Sequence, residues 1–347
     1  MHVVVLAVAG TCAATGRIVW SPRRLMQFAV VSFVLIALTF VATRYVFTHF
    51  LEQPYHRDQV IASMHLLRER VPAVVHREEP ATSPPVDLTR PQLEQIRERG
   101  VLRVGYFPTD SLPYAYFNEA GELVGLDVEM AHILAEELGV TLELVPADRS
   151  RLETQLQNAY CDIVMSGLVL TTPRAAALTL SAPYLHETAA FIVADHHRGD
   201  FATRESILAQ TGLRVGVPAG ATFRSIAESF LPDTAEIVPM EDIASHFEER
   251  LIEIDALLLS AERGSFWTLL HPAYSVVVPQ PNVVQVPLAY PVARGDLEFA
   301  QFMTRWIELK KGDGTLDALY DYWILGTNAE PRKPRWSILR DVLHWVD

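Results

Sequence analysis

Arg174 is the residue in this chain best placed for chemistry. It follows Thr171-Thr172-Pro173, which reads as a helix start. Thr171 or Thr172 suits the N-cap and Pro173 the first helical position. A cation in the first turn opposes the helix dipole at a cost of a few tenths of a kcal/mol or more. Free amides and a guanidinium at one helix start suit an anion, and a ligand carboxylate fits. An internal partner for Arg174, or plain exposure, is the other reading.

The same device recurs in Val217-Pro-Ala-Gly-Ala-Thr-Phe-Arg224. A strand ends, Gly220 permits a tight turn, Thr222 can cap, and Arg224 enters the first turn. Arg224 equally fits an exposed helix face. Asp110 can receive a ligand amine or lie solvated in a loop. Glu262 opens another helix after Asp255-Ala-Leu-Leu-Leu-Ser260 and could serve as an acid or base. Two arginines at two helix starts make an acidic or dicarboxylate ligand plausible. No residue is assigned a catalytic role, and no spacing calls for a metal or a cofactor.

The elements that position these residues alternate. Val101 to Tyr106 reads as a strand, and Leu126 to Leu138 as a helix stopped by Gly139. Val140 to Val145 is a strand, Arg151 to Asn158 a helix, and Asp162 to Met165 a strand. A second unit runs from Leu213 to Val217 through a helix over Thr222 to Phe230. It continues with a strand at Glu236 to Val238, a helix from Ile243 to Arg250 and a strand at Asp255 to Leu259. Such alternation implies an α/β protein with mostly parallel sheets covered by helices. Long helical patterns follow at Leu297 to Lys311 and Leu316 to Trp323.

Arg99-Gly-Val-Leu-Arg-Val-Gly105, Pro113-Tyr-Ala-Tyr116, Gly125-Leu-Asp-Val-Glu129, Asp162-Ile-Val-Met-Ser-Gly167, Thr171-Thr-Pro-Arg174 and Ser181-Ala-Pro-Tyr184 follow in register. The chain over about 91–327 thereby resembles the type II periplasmic binding proteins, in particular the polar amino acid-binding family. The resemblance implies a two-lobed fold with a central cleft that closes on a small ligand. It implies that Arg174 grips the ligand carboxylate and that Gly167 and Val169 offer backbone groups. Val169 stands where the family often has Ser or Thr. Tyr114, Tyr116 and Phe117 stand where the family stacks aromatics on the ligand, core packing being the alternative. Ser260 occupies the position of the family's amine-binding acid, with Glu262 two residues on as a substitute.

The implied organisation is 91–192 for the first part of lobe 1, 193–285 for lobe 2 and 286–327 for the return to lobe 1, with the hinge near 190–195 and 284–289. Residues 51–90 read as a tether, helical over Gln59 to Arg70 and then proline-rich. Residues 328–347 read as an amphipathic tail. Residues 1–50 hold membrane segments, with a span over about 26–47 and residues 1–15 as the other arm of a hairpin or an odd leader. Arg17, Arg23 and Arg24 ahead of the span place that side in the cytoplasm and the lobes in the periplasm.

The formal charge of −13 argues against nucleic acid as a partner. Cys12 and Cys161 are the two cysteines and make no disulfide framework; Cys161 reads as a small buried hydrophobe. The expected function is membrane-tethered binding of a small carboxylate ligand, an amino acid or dicarboxylate, in support of a transporter. The arrangement is similar to binding domains fused to cation:dicarboxylate symporters. A sensor domain acting with a signalling partner, or a dehydratase-like enzyme, are the alternatives.

Overall fold

The computed structural model describes residues 22–46, 64–68, 71–80, 90–218, 221–240, 243, 246–247, 253–281 and 283–327. Residues 1–56 and 57–347 form separate compact units.

In the first unit, helix α1 spans Pro22–Val46, a length of about 37 Å at 1.5 Å per residue. Its Met26–Thr43 window has a mean hydropathy of 2.2 and is long and apolar enough to cross a bilayer. The second arm expected over residues 1–15 lies outside the described residues.

The first described residues of the second unit are Met64, which is buried, and its neighbours, followed by strand β1 (Ala73–Val75). Then come α2 (Gln92–Arg99), β2 (Val101–Tyr106), β3 (Tyr116–Phe117), β4 (Leu123–Val124), α3 (Leu126–Leu138) and β5 (Thr141–Pro146). They are followed by α4 (Leu152–Gln157), β6 (Ile163–Val164), α5 (Thr172–Ala177), β7 (Thr179–Leu180) and the ten-residue β8 (Leu185–Ala194). A 3-10 turn at Asp195–Phe201 leads to α6 (Arg204–Leu208), β9 (Arg214–Pro218), α7 (Ala221–Phe230) and β10 (Glu236–Met240). Next are β11 (Ala256–Ser260), α8 (Ala261–Leu270), β12 (Tyr274–Val277), β13 (Gln285–Leu288) and β14 (Pro291–Val292). Helices α9 (Leu297–Gly312) and α10 (Thr315–Trp323) complete the described chain.

Two sheets organise two lobes. The first has strand order β1-β5-β2-β6-β14-β7, and the second β10-β9-β11-β8-β12 with β13 also on β8. Pairs β1–β5, β5–β2 and β2–β6 are parallel, as are β10–β9 and β9–β11. The apolar runs of β2 and β5 form the first core, with Leu102, Val104, Leu142 and Leu144 each at most 1% exposed. Gly139 ends α3 at φ 71°, a left-handed cap that a Cβ would strain. Cys161 is buried as expected, beside Phe107 and Val164.

Two departures from the sequence reading concern connections. Described residues of the expected 51–90 tether are docked on the first lobe. Strand β1 adds to the edge of β5, and Asn118 Nδ2 donates to the Met64 carbonyl at 3.1 Å. Residues 64–68 are not helical. An apolar periodicity had pointed to a helix, but Met64 is held by burial against the lobe and Arg68 N–H by Glu129, at 3.0 Å. The second departure is the crossing between lobes. Strand β8 pairs with β13 over Leu185–Thr188 and enters the second sheet at Ala189, opposite Ser260, ahead of residue 193. One unbroken strand therefore serves both the crossing and the second lobe.

Candidate functional site

The site is built around the first-lobe loop that carries Gly167. Gly167 has φ 64°, and a Cβ there would come within 2.4 Å of the Tyr114 ring. Its N–H donates to Asp127 Oδ2 at 2.6 Å. Asp127, in the first turn of α3, also accepts from the hydroxyls of Tyr184 and Tyr290, both at 2.8 Å. Those two rings stack with centroids 4.1 Å apart. Burial pushes the Asp127 carboxyl up to about 7, and its three donors oppose that shift. So both backbone groups of Gly167 are occupied: the N–H by Asp127, the carbonyl by Arg263 Nη2 at 2.8 Å.

Arg263 comes from the other lobe, in the first turn of α8. Ser260 caps that helix, its hydroxyl accepting the Arg263 N–H at 3.3 Å. Arg263 Nη1 reaches the Asp110 carbonyl at 3.2 Å, and Nε reaches Glu187 Oε1 at 3.1 Å. Glu187 lies in the crossing strand β8, fully buried, and accepts the Tyr114 hydroxyl at 2.7 Å through the same oxygen. These contacts bring the lobes together.

Two more guanidinium groups share the neighbourhood. Arg149 donates to the carbonyls of Thr109 and Asp110 at 2.9 and 3.0 Å, and covers the Phe107 ring at 4.1 Å. Asp110 thus holds two arginines on one carbonyl, from a backbone at φ 53°. Arg174 Nη1 donates to the Val169 carbonyl at 2.7 Å, two residues from the carbonyl that Arg263 takes. Thr171, not Thr172, is the cap of α5, accepting the Arg174 N–H at 3.3 Å. Burial and the charge of Arg263 lower the proton affinity of both arginines, Arg149 to about 10. Three like charges crowd here, and a bound anion would relieve them.

Glu262 is buried, accepts the Thr188 N–H at 3.0 Å and faces the Tyr320 hydroxyl at 3.4 Å. Desolvation, then the nearby Glu187 charge, pushes it up to about 7.

Of the residues expected from the sequence, Gly167, Val169, Arg174, Tyr114, Asp110, Ser260 and Glu262 meet in this region. Tyr116 does not face it as an open platform: it packs edge-on against Phe266 and Trp323, at 5.3 and 6.2 Å. Arg224 is exposed and pairs with Glu228 one turn on, 3.8 Å away, because its helix turns that face to solvent. Gly220 and the Thr222 side chain lie outside the described residues. The sequence reading missed Asp127, Arg149, Glu187 and Arg263. A signal existed for two of them: Glu187 is a charge inside an apolar strand, and Asp127 opens an apolar helix.

Residues 102–326 match the bacterial extracellular solute-binding proteins, family 3, and the chain belongs to that family. It is 30% identical over 234 residues to cyclohexadienyl dehydratase of Pseudomonas aeruginosa, covering 67% of this chain and 86% of that protein. It is 25% identical over 236 residues to the L-cystine-binding protein TcyJ of Escherichia coli K12, covering 67% and 85%. Among solved structures it is similar to the ancestral cationic amino acid solute binding protein AncCDT-1. That match has a TM-score of 0.57 and 31% identity, and covers 67% of this chain and 99% of that one. The fold is the two-lobed type II periplasmic binding protein fold, and the role of its family is solute binding.

Proposed function

We propose that this chain is a membrane-tethered binding protein of the periplasm. Its lobes close on a small carboxylate-bearing ligand, an amino acid or a dicarboxylate, and present it to a transporter. One observation carries the reading: Arg149, Arg174 and Arg263 meet on the carbonyl groups of Thr109, Asp110, Gly167 and Val169, with Glu187 as the carboxylate partner of Arg263. Cations held by backbone carbonyls keep N–H donors to spare, since each guanidinium carries five. Helix α1 supports the tether, and the arginines ahead of its apolar window favour a periplasmic domain.

The test is calorimetry and thermal stabilisation on the detergent-solubilised chain with amino acids and C4–C5 dicarboxylates. Ligand at about 100 times its Kd adds about 2.7 kcal/mol of stability. Arg174→Ala should abolish the heat; an unchanged affinity in that variant would refute the reading.

A second reading is a dehydratase-like enzyme, favoured by the buried Glu262, poised near 7 as a proton donor or acceptor, and by the dehydratase among the relatives. Product formation from a cyclic hydroxy acid, lost in Glu262→Gln, separates it from reversible binding.

A further inference from the structure

Residues 64–68 lie as a strap on the first lobe, away from the arginines. Asn118 Nδ2 donates to the Met64 carbonyl at 3.1 Å, and the Tyr322 hydroxyl to the His65 carbonyl at 3.1 Å. The Arg68 N–H donates to Glu129 Oε1 at 3.0 Å, and the Trp323 indole N–H holds the other oxygen of Glu129 at 2.9 Å. The strap is thus fastened to the turn between β3 and β4, to α3 and to α10.

Two of these fasteners also touch the second lobe, and both touch the same helix. Tyr116 of β3 packs edge-on against Phe266 of α8, with ring centroids 5.3 Å apart. Tyr320 of α10 faces Glu262 Oε1 of α8 at 3.4 Å. Glu262 and Phe266 stand four residues apart and so share one face of α8. Arg263, which latches onto the Asp110 and Gly167 carbonyls, rides on the same helix. When α8 moves off with its lobe, Tyr116 and Tyr320 lose their partners in the same step as the latch breaks. The element with two positions is α8, and the latch and the strap both bias it.

We propose that docking of the strap is coupled to closure of the cleft through α8, so that residues 64–68 carry the state of the cleft back along the chain towards α1. Coupling of this kind is reciprocal: closure tightens the strap, and a docked strap favours the closed cleft. The proposal rests on lobes that open and close, as above, and not on which ligand closes them.

The experiment is hydrogen exchange on the full chain in mild detergent, comparing the Arg68 amide with the Met165 amide. The latter bonds to the Gly105 carbonyl inside the first lobe and reports overall stability. Phe266→Ala should speed exchange at Arg68 by about 10-fold or more relative to Met165, and Tyr320→Phe by about 3-fold. Arg263→Ala, which unlatches the cleft, should raise the same ratio. Phe230→Ala, a buried change beside Phe191 within the second lobe, should leave the ratio unchanged. An unchanged ratio in Phe266→Ala overturns the proposal, as does an equal rise in Phe230→Ala. A rise in Phe266→Ala with none in Arg263→Ala also overturns it, since the strap would then lean on α8 whatever the cleft does. If Phe266→Ala fails to fold, Tyr320→Phe, which removes a single oxygen, decides alone. No ligand enters the measurement, so failure of the carboxylate reading in calorimetry leaves this result standing.

Discussion

Arg263 Nη2 and the Gly167 carbonyl meet at 2.8 Å across the two lobes. The donor stands in the first turn of α8 in the second lobe, the acceptor in a left-handed loop of the first. Opening the cleft must break this bond together with the one to Asp110. On the proposed reading Arg263 is both a latch and one of three cations for the ligand's carboxylate, and its loss should be felt in stability as well as in affinity.

Arg263→Ala leaves the buried Glu187 carboxylate without its cation. Removing one partner of a buried pair costs about 3–5 kcal/mol. Urea denaturation should show this loss, and the double variant with Glu187→Gln should lose less than the sum of the single changes. Strict additivity would mean that the two side chains do not act as a pair.

Arg224 offers the contrast. Its pair with Glu228 is exposed, and such pairs contribute about 0–1 kcal/mol. Arg224→Ala should leave the denaturation midpoint nearly unchanged and the ligand affinity within about 3-fold, whereas Arg149→Met should weaken the ligand clearly. A large loss in Arg224→Ala would place that helix start in the binding surface after all.

Gly167→Ala forces a side chain into φ 64°, with its Cβ 2.4 Å from the Tyr114 ring. Strain of this kind costs about 1–3 kcal/mol. It should also displace the loop from Asp127 and Arg263, so affinity and melting temperature should fall together.

Glu262 and Asp127 have folded pKa values raised to about 7, from 4.5 and 3.8. The folded state therefore holds protons that the unfolded chain has released. Stability should fall as pH rises between about 4 and 7, by at most about 1.4 kcal/mol per pH unit and group, and level off above 7. Glu262→Gln should flatten part of that slope. An identical slope in the variant would show that Glu262 titrates normally.

Residues 64–80 give a fifth test. A fragment starting at residue 57 keeps Met64 and β1, and one starting at 91 loses both. Burial of a methionine alone contributes about 1.5–3 kcal/mol, so the longer fragment should unfold at higher denaturant. Equal midpoints would return the segment to the role of a loose tether.

Most of the fold was legible because alternation of apolar strands and capped helices is local. The run Val101 to Tyr106, the stop at Gly139 and the start at Thr171 each carry their signal within a few residues. The docking of 73–75 on β5 was not legible, since a three-residue strand gains its partner only from a sheet edge far along the chain. The site divided the same way. Arg174 announces itself by the cap before it. Arg263 looked like the residue after Glu262, and its importance lies in carbonyls of Asp110 and Gly167 in the other lobe. Glu187 shows in the sequence as a charge inside an apolar strand, but its place needed the knowledge that this strand is the crossing.

That crossing has a mechanical consequence. The chain passes between the lobes twice, on β8 and β13, and Glu187 is paired with Val286 within that ribbon. When one lobe swings relative to the other, points on the pivot travel least. In such a swing Arg263 would sweep an arc on its helix while Glu187 would stay close to the fulcrum. That carboxylate would keep one fixed address through the whole stroke, and Arg263 would come and go against it.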